Sequence, residues 1–534
     1  MEFVKLDRPR RAAVLRWGRL MAVTALVSSV ALLAATGASA ARHPLPLKTG
    51  FLEPKAFGWG GLQPFQNASR AGATLARIWV HWNDTVVNTS RVPPAGDLTD
   101  PNNVAYNWSS LDQQVENATT AGLAPILDIR DAPLWAQGGG LAVTDRRMVR
   151  GVWKPSAALL ADFATAVAKR YQQNSPYLDA HGDQVPWVRF WQVWNEANGD
   201  IFLSPPSPTR YLEMLNAAAS RIRAVDPRNF VITSAVSPFH HRNVVAPLIF
   251  MAKMLCMSYT KPYHRLAGCT LKPAKFDIWA QNPYTPGGPM HHAYYAYDVS
   301  LGDMGDVRQL LNAAVRYRRI TTRCFTAFCP VIGNHVGLWV TEFSWDARPP
   351  DPEGVPSAVE AAWVSQALFQ MRRLGVTAFI WHRLRDDKLS GAGSTPYQSG
   401  LFRCQLVNSC TNITLDRPKL AMYAFRFPVF AYRRLGRIFV WGRTPWGQRG
   451  HVVIQKRTAR GWRTVGGAWT SRRGIFRWGQ RSALRTGVFR AIYVLRNSPI
   501  HPNKKYVSLG ASLVPPRDRP YSVFGCGGQG SLRC

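Results

Sequence analysis

Between Lys48 and about Tyr432 the chain repeats one pattern: a short apolar run, then a longer stretch with apolar residues at three- and four-residue spacing. The short runs are "TGFLEP", "TLARIWVHW", "LAPILDIR", "WVRFWQVWNE", "NFVITSAV", "FDIWAQNPY", "GLWVTEFSW" and "VTAFIWHRL". Each is nearly continuous in apolar residues, as a strand buried on both faces must be. Amphipathic helices are expected between most of them, such as "SAALLADFATAVAKRYQ" and "TRYLEMLNAAASRIRAVDP", with "LAMYAFRFPVFAY" as a closing helix. Eight βα units predict an α/β protein with a closed (β/α)8 barrel over 48–432. A doubly wound sheet fits less well, because no Gly-x-Gly-x-x-Gly or P-loop follows any strand.

The flanks break the pattern. Arg8, Arg10, Arg11, Arg16 and Arg19 precede an apolar run from Leu20 to about Ala35, and "ASA" at Ala38–Ala40 offers small residues for cleavage. Residues 1–40 therefore read as a secretory signal peptide; the apolar run is short for a membrane anchor. The Arg10-Arg11 pair also permits twin-arginine export. A secreted, extracellular protein is expected, with cell-wall association as one form of it. After about Leu435, short β-rich runs separated by Gly, Arg and polar turns predict a β-sandwich over 436–515 and a Gly- and Arg-rich tail over 516–534.

The eight cysteines fall as near neighbours, Cys256/Cys269, Cys324/Cys329, Cys404/Cys410 and Cys526/Cys534. An oxidising compartment allows four short-loop disulfides in that pairing, one of many connectivities that spacing alone leaves open. No Cys-x-x-Cys pair or accompanying His spacing points to a metal, and no cofactor is expected. The formal net charge is +35, and from Arg417 to Cys534 there are 24 Lys and Arg against one acid, Asp518. Such a surface attracts polyanions. For an exported chain an anionic cell-wall polymer is the expected partner and nucleic acid is not; a basic composition with no specific partner is the alternative. The chain is expected to act as a monomer.

In a barrel of this kind the active site lies at the C-terminal ends of the strands. Those ends carry Arg77, His81 and Trp82; Asp128, Arg130, Asp131 and Trp135; Asn195 and Glu196; Asn282 and Tyr284; Glu342; and Trp381 with His382. Glu196 and Glu342 each close an apolar strand, 146 residues apart, and strands four and seven face each other across an eight-stranded mouth. Two such carboxylates suit a retaining glycosidase, one protonated to donate to the leaving oxygen, one ionised to attack the sugar, at roughly 5 Å. Proximity splits their pKa values, since ionising one disfavours ionising the other. The other reading is a structural pair satisfied by Arg77. Asp128 and Asp131 either touch substrate or satisfy Arg130, and His81 is a candidate sugar contact by position.

On these residues the chain resembles clan A of the glycoside hydrolases, the barrel group that includes the family 5 cellulases and the family 39 xylosidases and iduronidases. "WNEAN" and "VTEFSWD" look like its acid/base and nucleophile motifs. The resemblance covers roughly Lys48 to Tyr432 and implies a carbohydrate substrate, with Glu196 as general acid/base and Glu342 as nucleophile. It implies Asn195 at the sugar 2-hydroxyl, Tyr284 and Arg77 beside the nucleophile, and Trp381 as the floor of the sugar site. "APLWA", with Trp135, is similar to a stretch after strand three in several such families. Strand six departs from the pattern, carrying "QNPYTPGGP" where several families have His-x-Tyr. Two further readings stay open: a non-catalytic glycan- or wall-binding protein on a barrel scaffold, and a transglycosylase using the same two glutamates.

Overall fold

A computed structural model describes residues 46–86, 90–322, 336–388, 397–404, 410–495 and 504–521. The expected signal peptide and the pairs Cys324/Cys329 and Cys526/Cys534 lie outside them.

Eight parallel strands close into a barrel: β1 (Lys48–Leu52), β2 (Leu75–His81), β3 (Ala124–Arg130), β4 (Phe190–Val193), β5 (Phe230–Ile232), β6 (Ile278–Gln281), β7 (Gly337–Phe343) and β8 (Val376–His382). Closure is the pairing of β1 with β8, from Lys48 opposite Ala378 to Leu52 opposite His382. Strand alternation divides the apolar residues into two layers. Leu75, Ile126, Phe190, Ile278, Trp339 and Ile380 fill the barrel. Ile78, Leu127, Trp191, Leu338 and Phe379 face outward and belong to the larger cluster under the helices.

Those helices are α1 (Leu62–Arg70), α2 (Ser109–Thr120), α3 (Ala157–Arg170), α4 (Pro208–Val225), α5 (Pro247–Met254), α6 (Met304–Arg316), α7 (Ser357–Arg373) and α8 (Leu420–Arg426). Their starts are written locally. Ser156 accepts from the Leu159 N–H, and Ser207 accepts from the Arg210 N–H with Pro208 at the first helical position. Helix α5 has no counterpart among the expected helices. It is eight residues long with six of them buried, so it shows no amphipathic stripe to read.

The segment expected as one closing helix divides. Helix α8 stops at Arg426, and β9 (Val429–Arg434) begins three residues later. Pro428 accounts for the break, because the residue before a proline is driven out of helical conformation and Phe427 has φ −133. Strand β9 pairs antiparallel with β10 (Arg437–Arg443), which pairs with β13 (Ile475–Arg481). The second sheet runs β12 (Gly461–Trp469), β11 (His451–Thr458), β14 (Val488–Leu495), β15 (Lys504–Val507), with β16 (Ala511–Ser512) also on β14. Val440, Val452, Ile454, Phe476, Phe489 and Tyr493 fill the space between the two sheets, as a β-sandwich requires.

The sandwich is packed onto the barrel. Phe369 of α7 meets Phe430 at 4.8 Å and Trp441 at 5.3 Å between ring centroids. Beyond β16 the chain returns to the loop after β6, where Asp518 accepts from the Gly288 N–H at 2.6 Å and Tyr521 N–H donates to the Pro286 carbonyl at 2.6 Å. Disulfides join Cys256 to Cys269 and Cys404 to Cys410. Among the described residues no helix is long and apolar enough to cross a membrane.

Candidate active site

Glu342 reaches the barrel mouth by breaking strand alternation. On β7, Leu338 and Val340 face the helices, so regular alternation would turn Glu342 outward with them. Against β8 the register runs from Phe379 opposite Val340 to Trp381 opposite Phe343, three steps on β7 against two on β8. This bulge re-aims Glu342 into the mouth. At the end of β4 a left-handed backbone adds Asn195 to the inward side, where alternation from Phe190 and Gln192 already places Glu196. Trp194 has φ 72 and Glu196 φ 38, both uncommon for residues with a side chain. Trp194 turns into the outer layer, and the next two side chains, Asn195 and Glu196, both turn inward.

Asn282, just past β6, stands between the two carboxylates. Its amide N–H group donates to Glu196 Oε1 at 2.8 Å and to Glu342 Oε2 at 3.4 Å, and those two legs cap the oxygen–oxygen separation at about 6.2 Å. Its own oxygen accepts from Thr341 Oγ1 at 3.1 Å, which fixes which end of the amide faces the acids. Glu342 also accepts from the Tyr284 hydroxyl at 2.8 Å and from Arg77 Nη1 at 3.1 Å.

The electrostatics separate the pair. Burial, reinforced by the nearby charge of Glu342, pushes Glu196 up to about 7, and the Asn282 bond only partly opposes it. Burial would raise Glu342 too, but the charge of His382 when it is protonated, the Arg77 charge and the hydrogen bonds from Tyr284 and Arg77 hold it below the ordinary carboxylate value. Burial lowers His382 in turn, so near neutral pH the imidazole is uncharged and Arg77 and Tyr284 supply the stabilisation. Tyr284 is raised well above its usual value, first by burial and then by Glu342, so it stays an O–H donor. Below about pH 7 one carboxyl is thus mostly protonated while the other is ionised, the state that lets two glutamates play different parts.

The other expected site residues divide. Asn195 accepts from Arg77 Nη2 at 2.8 Å through its oxygen, so its amide nitrogen points away from the arginine. His81 stands at the rim, with Nδ1 2.6 Å from Asp131, in a recess of about 360 Å3 that Arg130, Arg150 and Phe202 also line. Arg77 is fully buried beneath the acids, so it holds Glu342 and Asn195 in place and presents nothing to a ligand. Trp381 is also 0% exposed. Alternation along β8 turns it outward to Phe425 and Trp345, and its Nε1 donates to the Ser399 carbonyl, so it cannot floor a sugar site. Its neighbour His382 faces inward, with Nδ1 3.2 Å from the Tyr284 hydroxyl. Trp135 packs edge-on against Trp82, itself stacked on Phe163 of α3, and belongs to the outer core.

Asp128 is buried against Arg77 at 2.7 Å, and Asp131 bonds both His81 and Arg130. Asn282 and His382 are central here, and a carboxamide and an imidazole at strand ends were the sequence signals for them. Tyr397, whose ring stands 4.9 Å from that of His382, lies on a loop with no such signal. Among the described residues no cluster of three or more His, Cys, Asp and Glu side chains is placed to hold a metal.

A closed (β/α)8 barrel with two unlike carboxylates at its mouth defines the class. Neither a protein-family model nor a curated protein matches the chain. Among solved structures it is similar to a family 39 glycoside hydrolase from the gut symbiont Bacteroides cellulosilyticus WH2, at 14% identity over 82% of this chain and 81% of that one, TM-score 0.47. It is similar to a monomeric beta-xylosidase from Caulobacter crescentus CB15, at 16% identity over 78% and 82%, TM-score 0.44. A family 30 endoxylanase from Clostridium papyrosolvens C71 follows at 11% identity over 82% and 94%, TM-score 0.41.

Proposed function

We propose that the protein is an exported retaining glycoside hydrolase acting on a poly- or oligosaccharide. The observation that carries this reading is the Glu196–Asn282–Glu342 bridge, with its two carboxylates tuned in opposite directions. Asn282 bonding both acids keeps their nearest oxygens within about 6.2 Å, closer to the roughly 5–5.5 Å of retaining enzymes than to the roughly 6.5–9.5 Å of inverting ones. Ionised Glu342 attacks the anomeric carbon while Glu196 gives its proton to the leaving oxygen. The C–O bond to the leaving group breaks and a covalent glycosyl–enzyme forms. Glu196, now a carboxylate, takes a proton from the incoming water, whose oxygen displaces Glu342. Asn195 offers its amide to a sugar hydroxyl, and the His81 recess takes part of the substrate beyond the cleavage point. Export is supported by the basic-then-apolar N-terminal sequence and the two disulfides. The basic C-terminal part holds the enzyme on an anionic polymer.

The test is kinetic. Glu342→Ala abolishes turnover of aryl glycosides. Glu196→Gln slows substrates with poor leaving groups about 10²–10⁴-fold and those with activated leaving groups much less, as loss of a general acid requires. Parent-like rates in both variants, across a panel of aryl glycosides the parent cleaves, would sink the assignment. Accumulation of oligosaccharide products longer than the substrate would instead favour transglycosylation at the same residues.

A further inference from the structure

The larger sheet of the sandwich turns one face to the core and the other to solvent. On β11 the core takes Val452 and Ile454, and the outer face takes His451, Val453, Gln455 and Arg457. The edge strand β12 places Trp469 opposite His451 and Trp462 opposite Arg457. Seven positions apart, two residues of a regular strand face opposite ways. Here the register passes from Ile454 opposite Gly466 to Gln455 opposite Thr464, so Val465 is an extra residue. That bulge brings both tryptophans to the outer face. Trp469 is 73% exposed.

Cations accompany Trp462. The Arg490 guanidinium of β14 lies 4.3 Å from the Trp462 ring centroid and donates to Gln455 at 2.9 Å, and Arg457 stands opposite Trp462. At the other end His451 packs against Trp469 at 5.3 Å, and the cation at that level, Lys505, lies on the far strand β15 opposite Val494. The middle row, Gly467, Val453, Ile492 and Val507, is uncharged. No residue of this face is acidic, and the one acid after Arg417, Asp518, is engaged on the barrel.

We propose that this face binds a polyanionic polysaccharide. Sugar rings lie on Trp462 and Trp469, and the anionic substituents pair with Arg457 and Arg490 at one end and Lys505 at the other. The six steps from His451 to Arg457 on β11 span about 20 Å, room for several sugar units. Nucleic acids also stack on indoles, but they carry a phosphate at every unit. The uncharged middle row matches a chain whose charges are spaced. This binding does not depend on the chemistry at the barrel mouth.

The full chain carrying Glu342→Ala, which leaves polymers intact, is run through gels containing polygalacturonate, dextran sulfate, neutral dextran, oligo-dT or double-stranded DNA. Retention is expected from polygalacturonate or dextran sulfate, the stronger one naming the anionic group, with none from dextran. Trp462→Ala/Trp469→Ala leaves net charge unchanged and is expected to weaken that retention at least tenfold, with melting temperature and, in the Glu342-intact chain, aryl glycoside turnover unaltered. Arg457→Gln/Arg490→Gln gives the same loss by a second route. The proposal is overturned by parent-like retention of the tryptophan variant, by tighter binding to either DNA than to both anionic polysaccharides, by equal retention on dextran, or by no retention at all.

Discussion

Arg77 has five N–H donors, and every one is used. Nε bonds Gln192, Nη1 bonds the Thr341 carbonyl and Glu342, and Nη2 bonds Asp128 and Asn195. A lysine could reach at most three of these acceptors and has no planar fork. Arg77→Met strands the buried charges of Asp128 and Glu342, and a loss of about 3–5 kcal/mol is expected in chemical denaturation. Arg77→Lys is the more informative change. The proposed mechanism needs Glu342 ionised, so activity is expected to fall as pH drops through the pKa of Glu342; it needs Glu196 protonated, so activity is expected to fall as pH rises through about 7. Weakening the arginine releases Glu342 toward its ordinary value. The acid limb of kcat/KM is therefore expected to move to higher pH in Arg77→Lys, with the alkaline limb shifted far less. A sequence shows that an arginine lies near a strand end, but the single side chain joining four strands exists only once the barrel has closed. The Trp381 expectation fails for a related reason: "IWH" contains both an inward and an outward residue, and only the neighbouring strands decide which is which.

At the scale of elements, regular strands and helices follow from the alternation of apolar runs, and most of the expected ones stand where the pattern puts them. The irregular points do not. The bulge that aims Glu342, the left-handed turn at Trp194 and the extra residue Val465 each depend on a partner strand, which a single run of residues does not contain. Helix α7 carries a further hidden feature. Glu360 is fully buried with both carboxyl oxygens unpartnered, and burial pushes it up to about 8, with Lys419 opposing and Asp386 and Asp346 adding to the rise. The folded protein keeps this proton at pH values where the unfolded chain, with a pKa of about 4.3, has lost it. Its stabilising contribution is complete below that value and is lost as pH rises toward about 8. Glu360→Gln, which keeps the shape without the ionisation, is expected to melt like the parent near pH 4.5. Its lead then widens up to about pH 8 and levels off beyond. A constant offset across that range would contradict the burial argument.

For the whole molecule, composition places a basic, β-rich segment after the barrel but presents the last residues as an appendage. In the structure, the stretch through Asp518 and Tyr521 is clasped to the loop after β6, the loop that begins beside Tyr284. Tyr521 reaches Trp363 of α7 as well, at 5.7 Å between ring centroids. Asp518→Ala removes two acceptor contacts, to the Gly288 N–H and to His291, at a partly exposed site. A small effect of about 1 kcal/mol or less on global stability is expected. Amide exchange should quicken selectively in a peptide covering 284–292, and unchanged exchange there would mean the clasp does not order the loop. The clasp also bears on the timing of assembly. Asp518 follows Gly288 by 230 residues, so a chain emerging from the ribosome completes all eight barrel strands before it can make this contact. The loop next to the Tyr284 hydroxyl is therefore fastened by residues synthesised after all eight barrel strands, so a chain ending before Asp518 would lack this contact.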